Sequence, residues 1–344
     1  MSVPHGHDGY LKTISVVTPC FNEEGNVREV YERVRDLMLR LGRYRYEHIF
    51  IDNASHDATF AILREIAEAD SNVKVIRNAR NFGHVRSPMH ALLLARGDAI
   101  INLMSDLQDP PEVLAQLLEE WEKGTPIVIA VKHQSREAAP MFLVRKLFYR
   151  LVNRLADDIE TYENFTGFGL YDRQVVDLIR QFGDPYPYFR GMIAEIGLPH
   201  AEVLYEQQRR KSGKSKNNFY TLYDLAMLGI TKLSKVPLRI VTFSGFAGSV
   251  LSMLGGLAYF AYKLLFWQRF TVGIAPIAIG MFFLGSLQLL FMGVIGEYVG
   301  NIHTQVHNRP LVVERERLNF EYEPGEPIPR NTLTSGAGAG RSGT

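Results

Sequence analysis

Ile14-Ser-Val-Val-Thr18, closed by Pro19, is followed by Val27 to Leu41 and then by His48-Ile-Phe-Ile-Asp52. The first and third segments are β-branched, apolar and of strand length. The second repeats its apolar residues at helical spacing: Val27, Val30, Tyr31, Val34, Leu37, Met38 and Leu41. The alternation continues downstream. Phe60 to Ala69 reads as helix, Val73 to Ile76 as strand, Met89 to Ala95 as helix and Ala99 to Met104 as strand. Pro111 to Glu122 is a helix with proline at its start, and Ile127 to Val131 is a strand. Strands alternating with helices predict an α/β domain, a doubly wound and mostly parallel sheet. Such sheets bind ligands beyond the carboxyl ends of their strands. Polar clusters stand at those ends: Asn22-Glu23-Glu24, Asp52-Asn53, and Asp106 to Asp109.

The C-terminal part is different. Val241 to Tyr262 is 22 residues without a charge, and Phe270 to Gly296 is 27. About 20 apolar residues at 1.5 Å rise cross a ~30 Å hydrocarbon core. Two spans joined by a short loop (Lys263 to Arg269) predict a hairpin in a lipid membrane. Lys232, Lys235 and Arg239 precede it, and His303, His307 and Arg309 follow, against only Lys263 and Arg269 in the loop. The positive-inside bias places both ends in the cytoplasm, with the protein multi-pass in the plasma membrane. Met1 to Gly9 is polar and reads as carrying no signal peptide. Gly296 and Gly300 form a small-x-x-x-small pair that suits packing inside the hairpin or self-association into a homo-oligomer. The expected organisation is a cytoplasmic domain over 1–235, two transmembrane helices within 236–300 (about 240–264 and 271–297), a return segment over 301–322 and a disordered tail over 323–344.

Composition excludes other classes. With 38 Lys+Arg and 37 Asp+Glu the formal charge is +1, which argues against nucleic acid as a partner. The single cysteine, Cys20, cannot form an intramolecular disulfide or a cysteine-based zinc site. Neither a Gly-x-Gly-x-x-Gly fingerprint after the first strand nor a P-loop is present, so nucleotide phosphates must be held by metal or basic side chains. Asp106-Leu-Gln108-Asp109 offers carboxylate and amide oxygens of the kind Mg²⁺ or Mn²⁺ prefers. Asp109 alternatively starts the following helix. Asp52 suits either the ring N–H of a nucleobase or a turn, and Asp57 reads as a helix cap. Arg209 to Lys216 carries five positive charges in eight residues around Gly213, as a phosphate-clamping loop would. Met141 to Ala156 is a basic amphipathic helix fit for an anionic membrane surface, and Phe219 to Leu233 resembles it.

Several of these stretches together resemble a known family. Pro19-Cys-Phe-Asn-Glu23, Ile51-Asp-Asn-Ala-Ser55, Arg80-Asn-Phe-Gly83 and Asp106-Leu-Gln-Asp-Pro-Pro-Glu112 are similar to family 2 glycosyltransferases of GT-A fold. Arg190-Gly191, Arg210 to Lys216, Gly296-Glu-Tyr-Val-Gly300 and Asn308-Arg-Pro310 narrow the likeness to the polyprenyl-phosphate glycosyltransferases, the dolichol-phosphate mannose synthase and bactoprenol-phosphate glucosyltransferase group. The likeness spans about residues 12–318. It implies inverting transfer from a nucleotide sugar, with UDP favoured, to polyprenyl phosphate for cell-envelope glycans. It implies nucleotide contacts by Pro19, Phe21, Asn22, Glu23 and Asp52, and metal at Asp106 and Gln108. It places the acceptor phosphate near Arg145 and Lys146, with Arg210, Ser215 and Lys216 on a mobile loop. The chain departs from the family at Met104, Asn53 and Gly167, each where a family aspartate is usual. A phosphate acceptor, dianionic above a second pKa of about 6, is already a nucleophile and needs little base. Glu163 is the carboxylate nearest in sequence to Gly167. A transferase acting on a glycan or lipid hydroxyl would want a positioned base. An inactive membrane scaffold fits Met104 and Gly167 but not Asp106, Gln108 and the basic loop.

Overall fold

The computed structural model describes residues 11–132, 162, 165–208, 227–229, 231–232, 234–266, 274–307 and 309–320. The chain divides into two compact units. The first combines 1–137, 162–216 and 308–344, and the second combines 138–161 and 217–307.

In the first unit the predicted alternation is realised as β1 (Thr13–Cys20), α1 (Val27–Leu41), β2 (Arg45–Asp52), α2 (Thr59–Ala69), β3 (Val73–Asn78), α3 (Gly83–Leu94), β4 (Ala99–Asn102), α4 (Val113–Glu122) and β5 (Ile127–Lys132). It continues with β6 (Phe165–Asp172), α5 (Arg173–Phe182), α6 (Phe189–Ile196), β7 (His200–Tyr205) and, after the second unit, β8 (Glu314–Leu318). The eight strands form one sheet in the order β7-β5-β6-β4-β1-β2-β3-β8. β1, β2, β3 and β4 run parallel, as does β7 to β5, whereas β6 and β8 are antiparallel to their neighbours.

Alternate residues of each strand face opposite layers. Val16, Phe50, Val75 and Ile101 pack with α1, α2 and α4, while Val17, Ile49, Ile51 and Ile76 pack with α3, α5 and α6. Burial on both faces explains why the strands read as continuous apolar runs.

Two expectations are corrected here. α3 begins at Gly83 rather than Met89 and runs through Pro88, because buried Ser87 and Met89 on either side keep that turn packed. The span over 301–322 is not simply a return segment. Its first residues extend the preceding helix to Val306, and its later ones form β8. β8 is fixed to β3 by its register and by Asn319 Nδ2 donating to the Val73 carbonyl at 2.8 Å, and to α2 by an Arg64–Glu316 ion pair at 3.0 Å.

The second unit contains α7 (Val236–Leu265) and α8 (Ile274–Val306). Within them Val236–Tyr262 and Gly280–Val306 are long and apolar enough to cross a membrane, each with a mean hydropathy of 1.6. The first lies close to the expected 240–264, whereas the second is displaced by nine residues at each end from the expected 271–297. Phe243, Phe246 and Phe282 are 70–80% exposed, so the apolar surface faces outward rather than into a core. The Tyr298 hydroxyl donates to the Ser234 carbonyl at 2.7 Å, and Phe291 approaches Gly245. These pairings run in opposite order along the two helices, which makes them an antiparallel hairpin.

Among the buried polar groups of the sheet, Glu47 and His48 are neighbours on β2. Burial alone would raise the Glu47 carboxyl. Lys74 Nζ at 2.6 Å, Ser15 Oγ at 2.5 Å and the Arg96 N–H at 2.8 Å outweigh it and hold the carboxyl below its ordinary value. His48 is wholly buried, with Nε2 2.9 Å from Thr18 Oγ1, and burial lowers it to about 3. The neutral imidazole therefore stabilises the fold fully above the unfolded value of about 6.5, and that contribution falls by roughly 1.4 kcal/mol per pH unit below it. Glu47 acts in a lower window. Its contribution is present above about 4.3 and is lost as pH falls further. Between pH 6.5 and 4.5 the unfolding midpoint should therefore drop because of His48. His48→Gln, which keeps a partner for Thr18 without titrating, should flatten that limb. An unaltered limb in the variant would refute the assignment.

Candidate active site

The loops leaving β1, β2 and β4 adjoin at one edge of the sheet. Each holds a non-glycine residue in the left-handed region: Asn22 (φ 55°), Ala54 (φ 61°) and Leu107 (φ 56°). Such residues cost roughly 1–3 kcal/mol each and persist only where their surroundings over-determine them.

The first two loops are laced together. The Asn22 N–H donates to Ser55 Oγ at 2.8 Å, and Asn22 Oδ1 accepts the His56 N–H at 2.8 Å. The Glu23 N–H donates to Thr59 Oγ1 at 2.8 Å, and Glu23 Oε2 accepts from Asn26 Nδ2 at 2.6 Å. Phe21 stands edge-on to His56 with ring centroids 6.2 Å apart. Asp57 accepts the Thr59 N–H at 3.0 Å and its hydroxyl at 2.6 Å, capping the first turn of α2. Ser105 Oγ donates to the Pro19 carbonyl at 2.9 Å and ties the β4 loop to the end of β1.

Asp52 is fully buried. Its Oδ1 accepts the Ser55 N–H at 3.1 Å, as a turn residue does, and its Oδ2 lies 3.8 Å from Arg77 Nε. Burial pushes the carboxyl up, against the Ser55 bonds and Arg77. Asn53 beside it is a junction. Its Oδ1 accepts from Asn78 Nδ2 at 3.0 Å and from the Phe82 N–H at 2.9 Å. Its Nδ2 donates to Asn81 Oδ1 at 2.9 Å and to the Gly83 carbonyl at 3.2 Å.

Asp106 is half-buried just beyond β4, with Oδ1 accepting the Gln108 N–H at 3.2 Å. Asp109 does not start the helix. α4 begins at Val113, and the Asp109 carboxylate, 3% exposed, accepts from the Tyr205 hydroxyl at the end of β7. Burial raises that carboxyl, opposed by Tyr205 and Lys132. The Gln108 carbonyl accepts the Gln208 N–H at 2.9 Å. The candidate metal loop is thus bonded to the segment that leads into the basic stretch. Arg145, Lys146, Arg210, Ser215, Lys216 and Glu163, with both amphipathic stretches save a few residues of the second, lie outside the described residues.

Among the described residues no three His, Cys, Asp or Glu side chains are grouped to hold a metal ion. Asp106 still fits one mode. Mg²⁺ is commonly bound through one or two carboxylates plus substrate phosphates and water rather than in a protein cage.

Gly167 lies where β6 carries two extra residues opposite β5: Ile129 pairs with Gly169, yet Val131 pairs with Phe165. Such bulges are frequent beside active sites. Gly167 has φ 98°, and its carbonyl accepts from Asn102 Nδ2 and the Tyr171 hydroxyl, each at 3.0 Å. An added Cβ would meet only ordinary contacts, Phe189 at 3.6 Å and Asn102 at 3.7 Å, so the obstacle is backbone conformation. Gly167→Ala should cost about 1–2 kcal/mol in denaturant unfolding, and Gly167→Asp should give no gain in rate. A stable, faster Gly167→Asp enzyme would contradict this.

The sheet order, the acidic loop after β4 and the junction at the end of β2 define an α/β domain with a polar site at the carboxyl ends of its parallel strands, and comparison with known proteins gives its family. Residues 15–180 match the model for glycosyl transferase family 2, and the chain belongs to that family. It is 32% identical over 321 residues to the uncharacterized glycosyltransferase sll0501 of Synechocystis, covering 92% of this chain and 98% of that one. It is 35% identical over 301 residues to the SfII prophage-derived bactoprenol glucosyl transferase of Shigella flexneri, covering 87% and 96%. The prophage bactoprenol glucosyl transferase homolog of Escherichia coli is 33% identical over 87% of this chain and 97% of its own length.

Proposed function

We propose that the protein is a membrane-bound inverting glycosyltransferase that moves a sugar from a nucleotide sugar, UDP-linked by preference, to polyprenyl phosphate. The carrying observation is the likeness to bactoprenol glucosyl transferases over 87% of the chain, a share too large to omit the two long apolar helices. Those helices hold the enzyme in the membrane that contains its acceptor. The basic residues flanking them favour a cytoplasmic catalytic unit and cytoplasmic termini.

In this reading the β1 and β2 loops, with Pro19, Phe21, Asn22, Glu23 and Asp52, hold the nucleotide. Asp52 is fully buried, so pairing with a base N–H requires a loop displacement. Asp106 and Gln108 hold Mg²⁺ or Mn²⁺, which when bound neutralises charge on the departing diphosphate. A lipid phosphate oxygen forms the new bond to the anomeric carbon. The bond from that carbon to the nucleotide diphosphate breaks, and the diphosphate leaves with the electron pair. No proton has to be removed from a dianionic phosphate. Arg145, Lys146, Arg210, Ser215 and Lys216 position that phosphate and offset its charge. The test is a screen of labelled nucleotide sugars against undecaprenyl phosphate, with and without Mg²⁺ or Mn²⁺. Organic-extractable label from at least one donor is expected. None from any donor would refute the proposal.

A further inference from the structure

Three arginines in the first unit lie near one another, and among the described residues none of them forms an ion pair with a carboxylate. Arg80 stacks over Phe82 at 4.0 Å, and Arg86 flanks the same ring at 5.5 Å. Arg86 also donates to the Pro310 carbonyl at 2.6 Å, which brings the residues after α8 to the start of α3. Arg309, next to Pro310, makes no hydrogen bond or ion pair among the described residues, and neither Arg80 nor Arg86 has a carboxylate partner there. Arg86 Nε is buried with no acceptor. Burial, then the charges of Arg80 and Arg309, lower the Arg86 guanidinium, with only Tyr186 opposing. Three guanidiniums that form no ion pair among the described residues repel one another, and an anion between them would relieve that cost.

A cavity of about 190 Å³ adjoins the cluster, with Arg309 among its lining residues. Its wall is largely apolar, including Met89, Leu93, Ile179, Met192 and Leu311. Of the charged residues in the wall, Arg180 is paired with Asp177, and Asp184 accepts the Tyr186 N–H at 3.0 Å. A cationic cluster beside a small apolar cavity suits a ligand with an anionic head and a hydrocarbon tail. Charge selects the head. A phosphate monoester carries about −1.5 to −2 at pH 7 and matches three guanidiniums better than the single charge of a phosphodiester.

We infer that Arg80, Arg86 and Arg309 bind the monoester phosphate of a prenyl lipid, with its first hydrocarbon units in the adjoining cavity. The inference rests on the proposed acceptor class and adds residues to it beyond Arg145, Lys146 and the basic loop. These arginines position the lipid and take no part in bond making.

The experiment uses the full chain in detergent. Labelled farnesyl monophosphate is titrated by equilibrium dialysis against wild type, Arg80→Gln and Arg309→Gln. Arg309 makes no hydrogen bond or ion pair among the described residues, so its variant tests the site with least disturbance of the packing seen there. Each variant should bind at least about tenfold more weakly. The KM for undecaprenyl phosphate should rise by a similar factor, while kcat and the donor KM hold. Phosphatidylglycerol, a diester, should compete poorly. Unchanged binding in both variants, a rise in donor KM instead, or displacement by phosphatidylglycerol as effective as by monophosphate would overturn the inference. Failure of the activity reading looks different: wild type would transfer nothing to undecaprenyl phosphate, yet would still bind farnesyl monophosphate through these arginines.

Discussion

Asp106→Asn is expected to lower turnover by about 10²–10³-fold, the range seen when one preorganised charge-stabilising group is removed, while the unfolding midpoint holds. The substitution is isosteric, and an amide oxygen can still accept the Gln108 N–H that shapes the loop. What disappears is the charge. Neither nearby position in sequence replaces it, because Asp109 is buried against Tyr205 and position 104 is methionine. Initial rates against Mg²⁺ concentration provide the check. The variant should be slow at limiting metal and recover only partly at high metal. Near-native turnover at limiting Mg²⁺ would remove Asp106 from the metal and diphosphate role.

Asn53→Asp should destabilise the first unit by about 3–5 kcal/mol at neutral pH, the cost of a buried charge left uncompensated. The geometry fixes which end of the amide faces which group. Oδ1 must meet the Phe82 N–H, so Nδ2 meets the Gly83 carbonyl and Asn81 Oδ1. An aspartate would keep the acceptor and lose both donations, turning a carboxylate oxygen toward two other acceptors. The sign of the pH dependence follows. The folded state would raise the new carboxyl, so the penalty is full above that raised value and shrinks as pH falls and a proton restores one donor. Urea unfolding at pH 7.5 and pH 5 checks it. A variant as stable as wild type at pH 7.5 would contradict the junction role.

These two sites differ in how legible they were. Asp106 could be read directly, because a carboxylate cluster after an apolar strand marks the carboxyl edge of a parallel sheet. Asn53 read only as a missing aspartate, since its four partners lie 25 to 30 residues away and converge through folding. Asp109 likewise finds Tyr205 from 96 residues away, a pairing that no local pattern announces. The first five strands were legible because both their faces are buried. β8, Glu-Arg-Glu-Arg-Leu, has no apolar alternation, and its place on β3 depends on Arg64 and Asn319. α5 carries local signals at both ends: Asp172 caps it by accepting the Gln174 N–H at 3.0 Å, and Gly183 closes it in the left-handed region. Proline at position 88 hid the start of α3. The arginine cluster was invisible because Arg309 reaches it only after the chain has passed through the second unit.

The central claim is that a lipid phosphate, and not a hydroxyl, attacks the sugar. It is tested most directly by comparing undecaprenyl phosphate with undecaprenol as acceptors for the full chain, using the same labelled donor. Initial rates with the phosphate should be measured from pH 5 to 8. The proposed chemistry predicts transfer to the phosphate alone, with the rate rising through about pH 6 as the acceptor becomes dianionic. Transfer to undecaprenol at a comparable rate would contradict it.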